Sequence, residues 1–267
     1  MPIHPTAIVS AAAVIDETAT IGPYVTIEGP VRIGPGTRFA PFSCALGETE
    51  IGANVQVHSH AVIGDTPQDR RYHDESTRCI VGDHCVIREG ATIHRATGAG
   101  NVTRVGDRCY LMTNTHIGHN CLVGNDVTLV SGALLGGHVT VGDNAIISGN
   151  TGVHQFVRIG NLAMVACVAP VTQDILPYMM TDHQGRIVGV NSIGLRRAGY
   201  TSSERAQIKR LFRLIYRNTL GRPEIIARIK DDEPSRVRDV LLAFVEAGTD
   251  RGLVRGRSGA CVIDSPL

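Results

Sequence analysis

Residues 105–172 read VGDRCY LMTNTH IGHNCL VGNDVT LVSGAL LGGHVT VGDNAI ISGNTG VHQFVR IGNLAM VACVAP VT. Broken into sixes, the stretch decides the fold. Val105, Leu111, Ile117, Val123, Leu129, Leu135, Val141, Ile147, Val153, Ile159, Val165 and Val171 are all aliphatic. Two residues before each comes a small side chain or Val, as in Cys109, Thr115, Cys121, Ala133, Ala145, Thr151 and Ala163. Gly often follows the aliphatic, as at Gly106, Gly118, Gly124, Gly142 and Gly160. A period of six matches neither a helix nor an alternating strand. It is the mark of a hexapeptide-repeat β-helix, in which each hexad makes a short strand and a corner. Three hexads, about 18 residues, close one triangular coil. The aliphatics point inward and stack; the small residues fit the corners.

Working outward, the rhythm starts at Ile3 and runs through Val9, Ile15, Ile21, Ile27, Ile33, Phe39, Ala45, Ile51, Val57 and Ile63. The polar stretch GDTPQDRRYHDESTRC, from Gly64 to Cys79, interrupts it. A Gly-rich break from Ala96 to Arg104 follows. Loops that leave a regular scaffold often carry function. The register ends near Val171-Thr172, and residues 172–199 are transitional. From Thr201 the periodicity is helical. Ser202 or Ser203 is expected as N-cap, and Ile208, Leu211, Phe212 and Ile215 form one face. Gly221-Arg222-Pro223 ends that helix and opens a second with Ile225, Ile226 and Ile229. A third follows Pro234, and the tail from Arg255 is expected to be loose. The chain divides into a β-helix of residues 1–190 and a helical part of residues 191–267.

The 267 residues carry a formal net charge of +1, which argues against a general nucleic-acid binder. No apolar run approaches 18 residues, so no membrane span is expected. No signal peptide is evident, and a cytoplasmic protein is expected. The seven cysteines include no Cys-x-x-Cys pair, and reduced, buried thiols are expected.

The coil arithmetic places polar residues without a structure. His119, Gly137 and Gln155 are 18 apart and form one column. His138 and His154 adjoin it, and His116 lies one strand before His119. Singly, each has a bland reading: a solvated histidine, a corner glycine, an amide ladder. Together they put four of the eleven histidines on one edge. Such an edge suits general-base catalysis, in which a neutral imidazole takes a proton from an attacking hydroxyl or amine and a backbone N–H serves the oxyanion. It also suits a three-imidazole metal site, although no Cys or carboxylate completes one within a subunit.

At His116-Ile117-Gly118-His119-Asn120-Cys121, Gly137-His138 and Val153-His154-Gln155-Phe156 the sequence resembles the UDP-N-acetylglucosamine 3-O-acyltransferases of lipid A synthesis. The likeness extends to Gln68-Asp69-Arg70-Arg71-Tyr72, Thr92-Ile93-His94-Arg95, Gly189-Val190-Asn191, Gly194-Leu195-Arg196-Arg197, Leu214-Ile215-Tyr216-Arg217 and Arg251-Gly252-Leu253. It implies a left-handed parallel β-helix, a homotrimer, and active sites in clefts between subunits. It implies His119 as general base and Gly137 N–H as oxyanion donor. Asp69, Arg71, His116, His138, His154, Gln155, Asn191 and Arg197 match positions that bind the sugar nucleotide or its acylated product. The donor would be an (R)-3-hydroxyacyl chain on acyl carrier protein, with no cofactor.

Three positions depart from the family pattern. Asn120 stands where Asp is common beside the base. Arg71 stands where Lys commonly meets the acceptor, and the two cations are not equivalent. Cys167 stands where Gly often limits acyl length, so a shorter chain is expected. Arg196, Arg197, Arg205, Lys209, Arg210, Arg213 and Arg217 face Glu204 alone between 196 and 217. Arg205, Lys209 and Arg213 share a helical face, either solvated or docking an acidic carrier protein. The rival readings are a hexapeptide-repeat N-acyltransferase acting on an amino nucleotide-sugar and a trimeric zinc hydro-lyase.

Overall fold

The structure, a computed structural model, describes residues 3–216, 220–248 and 250–256. Short strands, most of two residues, wind into three sheets of nine, eight and ten strands that form the sides of a triangular prism. In chain order, face 1 begins at Ile8–Val9, face 2 at Val14–Ile15 and face 3 at Thr20–Ile21. Successive coils stack in register, as Ile117, Leu135, Val153 and Val171 do on face 1. The predicted inward aliphatics are the core: Leu111, Ile117, Leu129, Leu135 and Ile147 are fully buried. Ile3, Val9 and Ile15 are only half-buried, because among the described residues the first coil is stacked on one side alone.

Corners turn through left-handed backbone. Asn120, Asp126, Asn144 and Asn150 have φ between 53° and 60°, a region that Asn and Asp tolerate. Bulkier residues occupy the same slot on the corner from face 3 to face 1, where Tyr24, Phe42 and His60 stack in a column with centroid spacings of 5.1 and 5.4 Å. Cys79, Cys85, Cys109 and Cys121 fill small inward slots and are buried. The Cys85, Cys109 and Cys121 thiols donate to Gly106, Gly124 and Gly136 carbonyls at 3.0–3.1 Å, as the Thr151 hydroxyl does to Ala166. The expectation of uniformly buried thiols is corrected at two positions. Cys44, which points outward from face 1, is half-buried, and Cys167 is exposed at a corner. Cys261 lies outside the described residues.

Both breaks in the rhythm leave from the corner between faces 1 and 2. The first joins Val62–Asp65 to Arg78–Val81 and the second joins Thr92–His94 to Val102–Val105. That is also the corner of His119, His138 and Gln155.

The coil continues beyond its expected end, with Met179–Thr181 on face 3 and an antiparallel partner at Ile187–Val190. Among the described residues four helices follow: α1 (Ser192–Arg197), α2 (Ser202–Tyr216), α3 (Arg222–Lys230) and α4 (Arg236–Glu246). Helix α1 falls in the stretch read as transitional. The cap of α2 is Thr201, not Ser202 or Ser203: its hydroxyl accepts from Glu204 N–H while the Glu204 carboxylate accepts from Thr201 N–H. The segment before residue 257 is not loose. Leu253 and Gly256 bridge to Asp174 and Ile187. Arg158 ties this junction by pairing with buried Asp174 at 2.8 Å and lying over the Phe244 ring at 4.3 Å. Residues 257–267 of the expected tail, and Arg217, lie outside the described residues.

Candidate active site

His119 sits just past the strand His116–Ile117, with its side chain mostly enclosed. Its Nδ1 lies 2.8 Å from Asn120 Oδ1. The orientation of that amide is fixed by the Gly-rich turn. Thr97 N–H donates to Asn120 Oδ1 at 2.9 Å, and Asn120 Nδ2 donates to the Thr97 carbonyl at 3.0 Å. A backbone N–H needs an acceptor and a carbonyl needs a donor, so Oδ1 must face His119. His119 therefore donates from Nδ1 and keeps the lone pair on Nε2. This explains the Asn at 120: an amide matches both groups of Thr97, which a carboxylate cannot.

Nε2 faces Gly137 and Asp69. A Cβ at position 137 would lie 2.5 Å from Nε2, so only glycine leaves room for the imidazole. Asp69 Oδ2 is 3.9 Å from Nε2. The corner between faces 2 and 3 offers an internal comparison. There the N–H groups of Asp107, Asn125 and Asp143 are each taken by an Asn or Asp side chain one coil later, at 2.8, 2.7 and 3.2 Å. The equivalent N–H of Gly137 has no acceptor among the described residues, and Gln155, one coil on, is exposed. The site corner thus lacks the ladder that closes its counterpart.

Around this pair the imidazoles cluster. His138 meets His119 edge-on at 5.2 Å and stacks on Phe156 at 4.6 Å. His116 Nδ1 is 2.8 Å from Thr92 Oγ1, and His94 packs edge-on against His116 at 5.2 Å. Burial lowers the pKa of His94, His116 and His138, that of His116 to about 4, so these rings favour the neutral form. Hydrogen bonds from Arg71 hold the Asp69 carboxyl down at about 2. The loop itself is pinned by Arg95, which reaches Tyr72 Oη and the Gly64 carbonyl.

The sequence profile described as "Udp N-acetylglucosamine O-acyltransferase; Domain 2" matches residues 174–254, and "Bacterial transferase hexapeptide (six repeats)" matches residues 103–137. The acyl-(acyl-carrier-protein) UDP-N-acetylglucosamine O-acyltransferase of Anaeromyxobacter dehalogenans is 38% identical over 258 residues, which are 96% of this chain and 100% of that one. This chain belongs to the UDP-N-acetylglucosamine O-acyltransferase family. The structure of the Francisella novicida UDP-N-acetylglucosamine acyltransferase matches it with a TM-score of 0.93 at 35% identity, covering 99% of both chains. That of the Moraxella catarrhalis UDP-N-acetylglucosamine O-acyltransferase gives 0.91 at 36% identity, over 96% of this chain and 100% of that one. The coil is left-handed, as the resemblance implied; a mirror-handed coil would not superpose so closely.

In this acyltransferase the structure unites Asp69, Arg71, His116, His119, Gly137 and His138. His154 and Gln155 lie one coil further on, exposed, where the Arg251 guanidinium contacts His154 Nδ1. Asn191 and Arg197 are elsewhere. They line a groove of about 730 Å³ on face 3 with Leu162, Met164 and Met180. Asn191 is buried, caps α1 through Gly194 N–H and donates to the Leu162 carbonyl, both at 2.9 Å. Arg205 lines the same groove and bonds Ser202 Oγ; Lys209 is half-buried and Arg213 is exposed. The sequence reading missed His94 and Thr97. Thr92 pairs with His116 across 24 residues, not 18, because the Gly-rich turn inserts six. Counting that insertion would have brought His94 beside the column.

Proposed function

We propose that this chain transfers an (R)-3-hydroxyacyl group from acyl carrier protein to the 3-hydroxyl of UDP-N-acetylglucosamine, the first step of lipid A synthesis. The observation that carries the reading is His119 Nε2 lying against Gly137, with Nδ1 held by Asn120, in a member of this family. His119 takes the hydroxyl proton as the sugar oxygen attacks the thioester carbon. Gly137 N–H donates to the oxyanion. Collapse breaks the C–S bond, and the proton passes from Nε2 to the departing sulfur. Asp69, Arg71, His116, His138, His154 and Gln155 bind the acceptor or its acylated product. The thioester supplies the activated acyl group, and no resident cofactor enters the scheme. Stoichiometric zinc in the purified protein would favour the trimeric hydro-lyase reading instead.

The working unit in this reading is a homotrimer. At the outward position just before each inward aliphatic, face 1 carries no charge, as at Ile8, Val62, Leu134 and Pro170, although Glu28 and Asp65 end two of its strands; face 2 shows Arg32, Glu50, Arg78 and Arg104. Face 3 is nearly as neutral, with Arg38 alone charged at the equivalent strand positions. Exposed apolar faces of this extent mark interfaces. Packing face 1 of one copy on face 3 of the next closes a ring of three. It also brings Asn191 and Arg197 of one copy toward the His119 corner of another. Helix α2, with Arg205, Lys209 and Arg213, receives the acidic carrier. The coil of 1–190 holds the chemistry, and residues from 191 extend the groove. The reading takes the reaction to be cytoplasmic, in keeping with its soluble substrates. No described helix is long and apolar enough to cross a membrane.

Mass spectrometry of products from UDP-N-acetylglucosamine and a panel of acyl-carrier thioesters tests the reading. An O-acylated sugar nucleotide is expected, with little from His119→Ala. Acylation only of a 3-amino acceptor would replace it with the N-acyl reading.

A further inference from the structure

Among the carboxylates of the loop that presents Asp69, one that the mechanism does not use reaches across to the Gly-rich turn. Glu75 accepts two backbone N–H groups, each at 2.7 Å, one per oxygen. Oε2 takes His73 N–H from its own loop, and Oε1 takes Gly98 N–H from the Gly-rich turn. Hydrogen bonds from those two amides hold its pKa below the usual range. Gly98 follows Thr97, the residue whose backbone fixes the Asn120 amide. Asn120 in turn fixes His119. On the other side, the same loop carries Asp69, which faces Nε2 of that imidazole.

We propose that Glu75 is a positioning residue that couples the loop presenting Asp69 to the turn that orients Asn120 and, through it, His119. The contacts close a ring around the base: His119 to Asn120, Asn120 to Thr97, Gly98 to Glu75, Glu75 to His73, and along the loop to Asp69. Glu75 supplies the side-chain link in that ring between two excursions that the hexad rhythm does not hold. Two backbone contacts run beside it, Gly100 N–H to the Ser76 carbonyl at 2.9 Å and Arg78 N–H to the Asn101 carbonyl at 3.0 Å; Asn101 Nδ2 also holds the Thr97 carbonyl at 2.8 Å, while the Gly98 N–H is left to Glu75. The inference rests on His119 as the base.

Glu75→Gln tests it. The amide presents one acceptor and one donor to two donors, so one of the bonds is lost. Wild type and variant are compared in kcat, KM for the sugar nucleotide, and Tm. The expected result is a loss in kcat/KM on the order of tenfold, shared between a raised KM and a lowered kcat, with Tm within a few degrees of wild type. In the Asn120→Ala background the kcat component should vanish, because the link to His119 is already cut, while the KM component persists. Kinetic constants within twofold of wild type would overturn the proposal. So would a kcat effect that simply adds to that of Asn120→Ala. Should the Gln variant fold poorly, Glu75→Asp keeps the charge but spans only one amide, and the same two outcomes apply to it. Failure of the wild type itself to acylate the sugar hydroxyl would strike the functional reading instead.

Discussion

The imidazole of His119 and the missing side chain of Gly137 are fitted to one another: a Cβ on residue 137 would sit 2.5 Å from Nε2 and 2.6 Å from Cε1. The backbone at 137 does not require glycine for its own conformation, since its φ lies outside the left-handed region. Gly137→Ala should therefore fold and displace the ring. A displacement of about 1 Å in a catalytic group costs on the order of 10²-fold in rate. Steady-state kinetics beside a melting curve checks this; a kcat within a few-fold of wild type would show that the ring is not where the chemistry happens.

His119→Ala removes the base without touching the buried core. Turnover should fall ~10²–10⁴-fold, the range general-base catalysis contributes, with Tm little changed. Retained turnover in a correctly folded variant would exclude His119 as the base.

Asn120→Asp exchanges a neutral partner for a charged one. A carboxylate still accepts from His119 Nδ1–H and from Thr97 N–H, but it opposes the Thr97 carbonyl that the amide now satisfies. The new negative charge favours imidazolium, so the acid limb of kcat/KM should move to higher pH. Tm should fall, because a carboxylate oxygen then faces the Thr97 carbonyl, which keeps only its bond from Asn101 Nδ2, by an amount set by roughly 1–3 kcal/mol. A pH profile that does not move would mean that Asn120 does not contact the base in solution.

His116 gives a stability signature. Burial lowers its folded pKa to about 4, below the ordinary value of 6.5. Between those values the unfolded chain binds more protons than the folded one, so stability falls as pH drops from about 6.5 toward 4. Above 6.5 both states are neutral and the residue contributes no slope. In His116→Gln the decline of Tm across that window should be shallower. Parallel curves for wild type and variant would show that the ring is not held neutral.

Cys167 is exposed at one edge of face 1, and the His119 corner forms the other edge. Three coil steps separate the strands concerned, roughly 14 Å at about 4.8 Å per step. Uncharged Leu134, Gly152 and Pro170 project from the face between them. An acyl chain lying across this face would end against residue 167. Cys167→Gly should shift the preferred donor to a longer chain, read from competition among acyl-carrier thioesters. An unchanged preference would remove Cys167 as a determinant of length.

The hexads exposed the coil, the inward positions and the column of His119, Gly137 and Gln155, because in a β-helix place is counted along the chain. Each hexad fixes its own strand and corner, and residues about 18 apart must stack. Where the count is interrupted, it fails. His94 lies beside His116, but the six inserted residues of the Gly-rich turn hide the relation. Thr97 and Asn120 are 23 apart and meet through backbone groups that leave no mark in composition.

Tertiary structure alone decided that both excursions leave from the histidine corner, that Thr97 selects the face of the Asn120 amide, and that Glu75 spans the two loops. It also set Asn191 and Arg197 on face 3, away from His119 in the same chain. Periodicity reports which way a side chain points from its own coil. It carries no information about how two irregular loops satisfy each other's donors and acceptors, or about which face a second copy covers. Those choices depend on hydrogen bonds and exposed apolar area that exist only once the prism has formed.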